Sequence, residues 1–183
     1  MKKKILLLFS GGADSTLLLH LAQKLGYEVE CLIFDYGQIH AKEIVFAVEI
    51  CKQQNVPYQL ISLNLPLKST LMAEKQEYEN VSVHHVPARN LIFVSIAAGI
   101  CESQHIDTIW IGANYEDRKL AFPDCYQEWV YQLNKLLEIN GSSQITVEAP
   151  LLGMQKPLIT AMSETIFNIN KEQIFSGYGT ERQ

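Results

Sequence analysis

The sequence predicts an α/β fold in which one parallel sheet of five strands carries helices on both faces. Apolar runs of strand length alternate from end to end with stretches of 3.6-residue periodicity, as repeated β-α-β units require. The 183 residues, 48% hydrophobic and 19% charged, suit one domain of about 100–200 residues. Residues 1–183 therefore read as a single unit without repeats, low complexity or a linker. Folding hides about 70% of the surface such a chain exposes when unfolded, so the core needs neither disulfide nor metal.

The first strand is Lys4 to Phe9, a continuous apolar run suited to burial on both faces. Lys2-Lys3-Lys4 ahead of it imitates a signal peptide, but the apolar run ends at Ser10, short of the roughly 7 to 15 residues an h-region needs. A helix over 13–25 follows, with Leu17, Leu18, Leu21 and Leu25 on one stripe and Gly26 as C-cap. The second unit is a strand from Val29 to Phe34 and a helix from about Ala41 to Gln53, its inner face Ile44, Val45, Val48 and Cys51. A third strand, Tyr58 to Leu63, follows Pro57. Residues 64–85 are polar and irregular, longer than the roughly 12–15 residues of an idle loop, and read as a mobile or substrate-covering segment.

After Pro87 a helix from about Asn90 to Glu102 leads to a strand from Thr108 to Ile111. A polar loop, Gly112 to Cys125, precedes a helix from about Gln127 to Ile139. A strand from Ile145 to Glu148 and a helix from about Pro157 to Ile169 complete five strands and five helices. Trp110 and Trp129 are assigned to the core. In such a sheet, ligands bind outside the carboxyl ends of the strands, where the strand order reverses.

Fifteen basic against twenty acidic residues leave a net charge of −5, which gives no general drive toward nucleic acid or an anionic membrane. Neither is expected as a partner. Cys31, Cys51, Cys101 and Cys125 are widely spaced without a Cys-x-x-Cys, so they read as reduced thiols of a cytoplasmic protein, neither a disulfide framework nor a zinc knuckle. His84-His85 are adjacent and point to opposite faces of an extended chain, which favours loop histidines over metal ligands. His20 is assigned to a helix surface, and Glu43, Glu49, Glu74, Glu77 and Glu79 to solvated faces.

Ser10-Gly11-Gly12-Ala13-Asp14-Ser15 joins the first strand to the first helix. Glycines let the backbone approach a ligand, and the amides of a helix N-terminus offer positive charge to an anion, so a phosphate chain fits. A polar N-cap turn with Ser10 or Asp14 capping is the plainer alternative. Neither the dinucleotide fingerprint nor the Walker lysine is present. Phe34-Asp35-Tyr36-Gly37-Gln38-Ile39-His40 lies past the second strand, where polar side chains can read a base or ribose, or simply make a β-α turn. In His85-Val86-Pro87-Ala88-Arg89-Asn90, Arg89 can pair bidentately with a carboxylate or phosphate, and a capped helix with a solvated Arg gives the same string.

The first of these strings resembles the Ser-Gly-Gly-x-Asp-Ser loop of the ATP pyrophosphatases. Together with Gly112-x-Asn114, Pro123-Asp124-Cys125 and Ala149-Pro150-Leu151 followed by Lys156, the strings resemble the 7-cyano-7-deazaguanine synthases, the QueC family, over roughly residues 4–160. The resemblance implies a Rossmann-like domain, akin to the adenine nucleotide alpha hydrolases, that uses ATP to adenylate 7-carboxy-7-deazaguanine. Ammonia then displaces AMP to give an amide, and a second ATP-driven dehydration gives the nitrile. Carried over to this chain, Ser10, Gly11, Gly12, Asp14, Ser15, Tyr36 and Gln38 would bind ATP, Asp14 through Mg²⁺. Arg89, Asn90, Gly112, Asn114, Asp117 and Asp124 would bind the substrate. Asp14, Arg89 and Lys156 would be catalytic.

The family's four-cysteine zinc site has no counterpart near Ser176-Gly177-Tyr178, so no zinc is expected. Arg118-Lys119-Leu120-Ala121 lengthens the loop before Pro123, and Tyr126 stands where the family pattern has Arg. These departures touch the acceptor side. They leave room for a second reading, a QueC-like enzyme of antiphage defence that joins the deazaguanine to a protein amine. A third is a catalytically silent nucleotide-binding regulatory subunit. A tRNA sulfurtransferase of the same superfamily calls for paired cysteines and a basic face, and an amidotransferase synthetase making NAD or GMP for a glutaminase segment. A homodimer fits family habit.

Overall fold

A computed structural model describes residues 3–38, 42–65, 86–115 and 122–169. Its elements are β1 (Lys4–Leu8), α1 (Ala13–Lys24), β2 (Glu28–Asp35), α2 (Lys42–Gln53), β3 (Tyr58–Ser62), α3 (Arg89–Gln104), β4 (Thr108–Trp110), a 3-10 turn (Pro123–Cys125), α4 (Gln127–Ile139), β5 (Thr146–Glu148) and α5 (Lys156–Thr165). The strands form one sheet in the order β3-β2-β1-β4-β5, and each neighbouring pair is parallel. The order therefore reverses between β1 and β4, the position from which loops diverge and leave a crevice.

Alternation along the strands sorts the core into two layers. Ile5, Leu7, Cys31, Ile33 and Trp110 face α1, α2 and α5, which contribute Leu17, Leu18, Ala47, Cys51 and Ile159. Leu6, Leu32, Phe34, Ile109 and Val147 face α3 and α4, which contribute Phe93, Val94, Ala97, Leu133 and Leu137. The central strands β1, β2 and β4 are buried on both faces because helices cover both, whereas the edge strands β3 and β5 keep exposed residues. Edge strand β5 is closed by Asn134, whose amide donates to the Val147 carbonyl (2.9 Å) and accepts from the Val147 N–H (2.8 Å), so the outer edge is not left as a template for pairing.

Several expectations shift. Leu25 is 60% exposed, because α1 ends there in a Schellman turn: Tyr27 N–H bonds Ala22 O and Gly26 N–H bonds Gln23 O, with Gly26 at φ +83. The buried side of α1 is Leu17, Leu18, Leu19 and Ala22, a wide arc that meets both the sheet and α5. Val45, expected inside, is 58% exposed. Ala47 faces inward, and a residue two positions away lies about 200° around the helix. α5 stops at Thr165 rather than Ile169: Asn168 turns left-handed (φ +51), and Ile169 N–H returns to the Ser163 carbonyl at 2.9 Å. His20 is half-buried, its ring 6.1 Å from that of Phe167.

Candidate active site

The chain leaves the sheet at Ser10, after Phe9 N–H makes the last bond to Leu32 O. Gly11 follows at φ +76, where a Cβ would lie 2.9 Å from the Ala47 backbone nitrogen. Only glycine seats the loop this closely on α2. The two serines tie the bend: Ser10 Oγ accepts from Gly12 N–H (3.3 Å), Ser15 Oγ donates to Gly12 O (3.1 Å), and the hydroxyls stand 3.2 Å apart. Gly12 is the N-cap of α1 and has no side chain to bond its first-turn amides, which leaves them for a ligand. The capping residues of the plainer alternative, Ser10 and Asp14, do not occupy the N-cap position, which is Gly12.

Asp14, in the first turn of α1, is the hub of the site. Its Oδ2 accepts from Lys156 Nζ at 2.5 Å and from Asn114 Nδ2 at 2.9 Å, whereas Oδ1 is buried with no partner. Gly112 passes alongside, where a Cβ would be 3.6 Å from Ser15 N and 3.7 Å from Asp14 Cβ. Asn114 is fully buried, and the next residue, Tyr115, donates its N–H to Met154 O at 3.1 Å, tying the β4 loop to the segment before α5. Residues 14, 114 and 156, remote in sequence, meet beside the reversal between β1 and β4.

The second constellation lies at the same edge of the sheet, at the carboxyl end of β2 and the N-terminus of α3. Arg89 Nη1 donates to Tyr36 Oη at 3.3 Å, with its guanidinium 6.0 Å from the centre of the Tyr36 ring. Tyr36 packs on Phe93, which stacks on Phe34 with ring centres 4.0 Å apart. The Arg is therefore aimed by an aromatic stack. Gln38 closes its own turn, accepting from Tyr36 N–H (2.9 Å) and donating to Phe34 O (3.2 Å). Asn90 Nδ2 donates to Asp124 Oδ2, joining α3 to the 3-10 turn, while Cys125 Sγ stands 3.8 Å from Asp124 Oδ1. Ala88, the N-cap of α3, is held left-handed at φ +53, a strained conformation of the kind that gathers at functional sites.

Asp117, Arg118-Lys119-Leu120-Ala121, His40, His84-His85, Ser176-Gly177-Tyr178 and the segment 66–85 lie outside the described residues. Sequence reasoning found the loop residues but missed their seat, Ala47, and the stack on Phe93, neither of which carries a chemical signature. Asn114, which the resemblance assigns to the substrate, donates its Nδ2 to Asp14 Oδ2, a partnership that no local string announces.

Mg²⁺ is usually held by one or two carboxylates together with substrate phosphates, and the unpartnered Asp14 Oδ1 beside the bend suits that role. Among the described residues no three His, Cys, Asp or Glu side chains gather as a metal site. All four cysteines are buried thiols outside any disulfide. Burial, reinforced by Asp107 and Glu30, pushes the Cys101 thiol up to about 12. The hydrogen bond to Cys51, with burial, raises that of Cys31. Neither is a thiolate nucleophile at neutral pH. Among the described residues no helix is long and apolar enough to cross a membrane.

A protein-family model described as Queuosine biosynthesis protein QueC matches residues 4–183. Among curated proteins, the chain is 33% identical over 165 residues to 7-cyano-7-deazaguanine synthase 2 of Colwellia psychrerythraea, covering 84% of this chain and 75% of that one. It is 36% identical over 178 residues to the 7-cyano-7-deazaguanine synthase of Methanocaldococcus jannaschii, covering 87% and 75%. Among solved structures, it matches the U34-tRNA thiolase NcsA from Methanococcus maripaludis with a TM-score of 0.57 at 15% identity, over 97% of this chain and 60% of that chain. NMN synthetase from Francisella tularensis matches with a TM-score of 0.50 at 16% identity, over 94% and 64%. At these identities the structural likeness shows the fold alone, a Rossmann-like parallel sheet.

Proposed function

The chain belongs to the QueC family, and from that premise we propose that it is an ATP-dependent ligase acting on 7-carboxy-7-deazaguanine. The observation that carries this reading is the bend from Ser10 to Ser15, with uncapped helix amides above it and the Asp14 carboxylate held at its side. The curated relatives, named as synthases of 7-cyano-7-deazaguanine, support the substrate.

A carboxylate is a poor electrophile because it is anionic and has no good leaving group. Attack of its oxygen on the α-phosphorus of ATP expels pyrophosphate and leaves an acyl-adenylate. Ammonia adds to that carbonyl, AMP departs, and a proton is lost to give the amide. The amide oxygen then attacks the α-phosphorus of a second ATP, expelling pyrophosphate, and departure of AMP with that oxygen and loss of the two N–H protons give the nitrile. The protein has mainly to position reactants and stabilise developing charge.

Ser10, Gly11, Gly12 and Ser15 hold the pyrophosphate part of ATP, and Asp14 would hold Mg²⁺, which would supply charge neutralisation for the phosphates. Tyr36 and Gln38 border the nucleoside. Arg89 and Lys156 neutralise the substrate carboxylate and the phosphates. Asn90, Gly112 and Asp124 border the deazaguanine, whose donor edge suits an acceptor-only carboxylate, and the family resemblance assigns Asp117 to the same ring.

Mass spectrometry of products from ATP, 7-carboxy-7-deazaguanine and ammonia tests this. Pyrophosphate, AMP and 7-cyano-7-deazaguanine are expected, each dependent on the carboxylate. An amide as final product would end the reaction before the second activation, and adduct formation on a protein amine would move the reading to that acceptor. ATP left intact with and without the carboxylate would contradict it.

A further inference from the structure

We propose that Asn114 is a positioning residue for the nucleotide half of the reaction, acting through Asp14 rather than touching the substrate. This rests on the proposed ATP chemistry. Asn114 is fully buried, and its Nδ2 donates to Asp14 Oδ2 at 2.9 Å, the oxygen that also accepts from Lys156. A carboxylate has two oxygens that a rotation about its terminal bond would exchange. Two donors fixed on one of them stop that rotation and leave Oδ1, buried and unpartnered, as the oxygen available to the ligand.

The two donors do not constrain equally. Lys156 is a long side chain, 43% exposed, and an ammonium tolerates many geometries. Asn114 has a short side chain with two χ angles, on a backbone tied through Tyr115 N–H to Met154 O. The rigid donor sets the carboxylate plane, and the flexible one supplies the charge. Such outer partners of a ligating group typically cost about 10–100-fold in affinity or activity when removed.

Asn114→Asp keeps the shape and removes the donor, and Asn114→Ser keeps a shorter hydroxyl donor. Both are read by isothermal titration of Mg-ATP and by steady-state pyrophosphate release, well below their melting temperatures. With Asn114→Asp, ATP affinity and kcat are expected to fall about 10–100-fold while KM for 7-carboxy-7-deazaguanine stays within about twofold. Asn114→Ser should recover part of that loss. A raised KM for the carboxylate with unchanged ATP affinity would make Asn114 a substrate contact and overturn the role. So would a lowered melting temperature with ATP affinity and kcat intact, which marks a purely structural part. If the unaltered protein itself binds no ATP, the ligase reading fails first. If it binds and Asn114→Asp binds equally well, the positioning role alone fails.

Discussion

Lys156 Nζ lies 2.5 Å from Asp14 Oδ2, an ion pair that fastens the first residue of α5 to the first turn of α1. The two helices pack on the same face of the sheet, and the contact ties their N-terminal turns together. Its lysine is 43% exposed, and pairs open to water contribute about 0–1 kcal/mol to stability. In the proposed function its value lies in the charge it places beside the Ser10–Ser15 bend. Lys156→Met is therefore predicted to leave the melting temperature nearly unchanged and to weaken Mg-ATP binding at least about tenfold, one charge-assisted contact being lost. Calorimetric titration beside a thermal melt reads both.

Two glycines with the same left-handed backbone should behave differently. Gly11→Ala brings a Cβ to 2.9 Å from Ala47 N, whereas Gly26→Ala meets nothing within 4 Å. Both incur the left-handed penalty of about 1–2 kcal/mol. Only Gly11→Ala must also push the bend off α2, so it alone is predicted to lose ATP affinity, by more than about tenfold. Denaturant unfolding and ATP titration of the two variants check this.

Asp124→Asn tests the other side of the site. Asp124 accepts from Asn90, and both border the proposed deazaguanine position. The substitution is predicted to raise KM for 7-carboxy-7-deazaguanine about tenfold, as loss of a hydrogen bond to a charged group does, and to leave ATP affinity within about twofold. Equal weakening of both ligands would show a structural link between α3 and the 3-10 turn instead. Initial-rate kinetics with each substrate varied give the answer.

Away from the site, Glu30 makes a stability prediction with a definite sign. Burial opposes its charge, but hydrogen bonds from Lys4 and Gln59 and the Lys4 charge hold its carboxyl below the ordinary value of 4.5. The folded state thus binds that proton less readily than the unfolded one. The stabilisation is complete above about pH 4.5 and is lost as pH falls through the lower folded value. Melting temperature measured between pH 3 and pH 6 should fall less steeply on acidification for Glu30→Gln than for the unaltered chain.

The fold was largely legible because burial on both faces writes itself as continuous apolar strands: Lys4 to Phe9 and Val29 to Phe34 reappear in β1 and β2. Helix faces were less so. Val45 and Leu25 have the right chemistry for the core, but the orientation of α2 is set by Ala47 under Gly11 and the end of α1 by Gly26, contacts that periodicity does not encode. Candidate site residues were legible as strings around single loops. Their partnerships were not, because Asp14 meets Asn114 and Lys156 only when parallel strands bring three carboxyl-end loops together.

Titration of Mg-ATP into the purified protein, followed by calorimetry, tests the central claim most directly: that the amides and Asp14 at the Ser10–Ser15 bend grip a triphosphate. One saturable site is predicted for the unaltered chain, lost in Gly11→Ala and retained in Gly26→Ala. Absence of any heat from ATP with the unaltered chain, whichever divalent ion accompanies it, would contradict the claim.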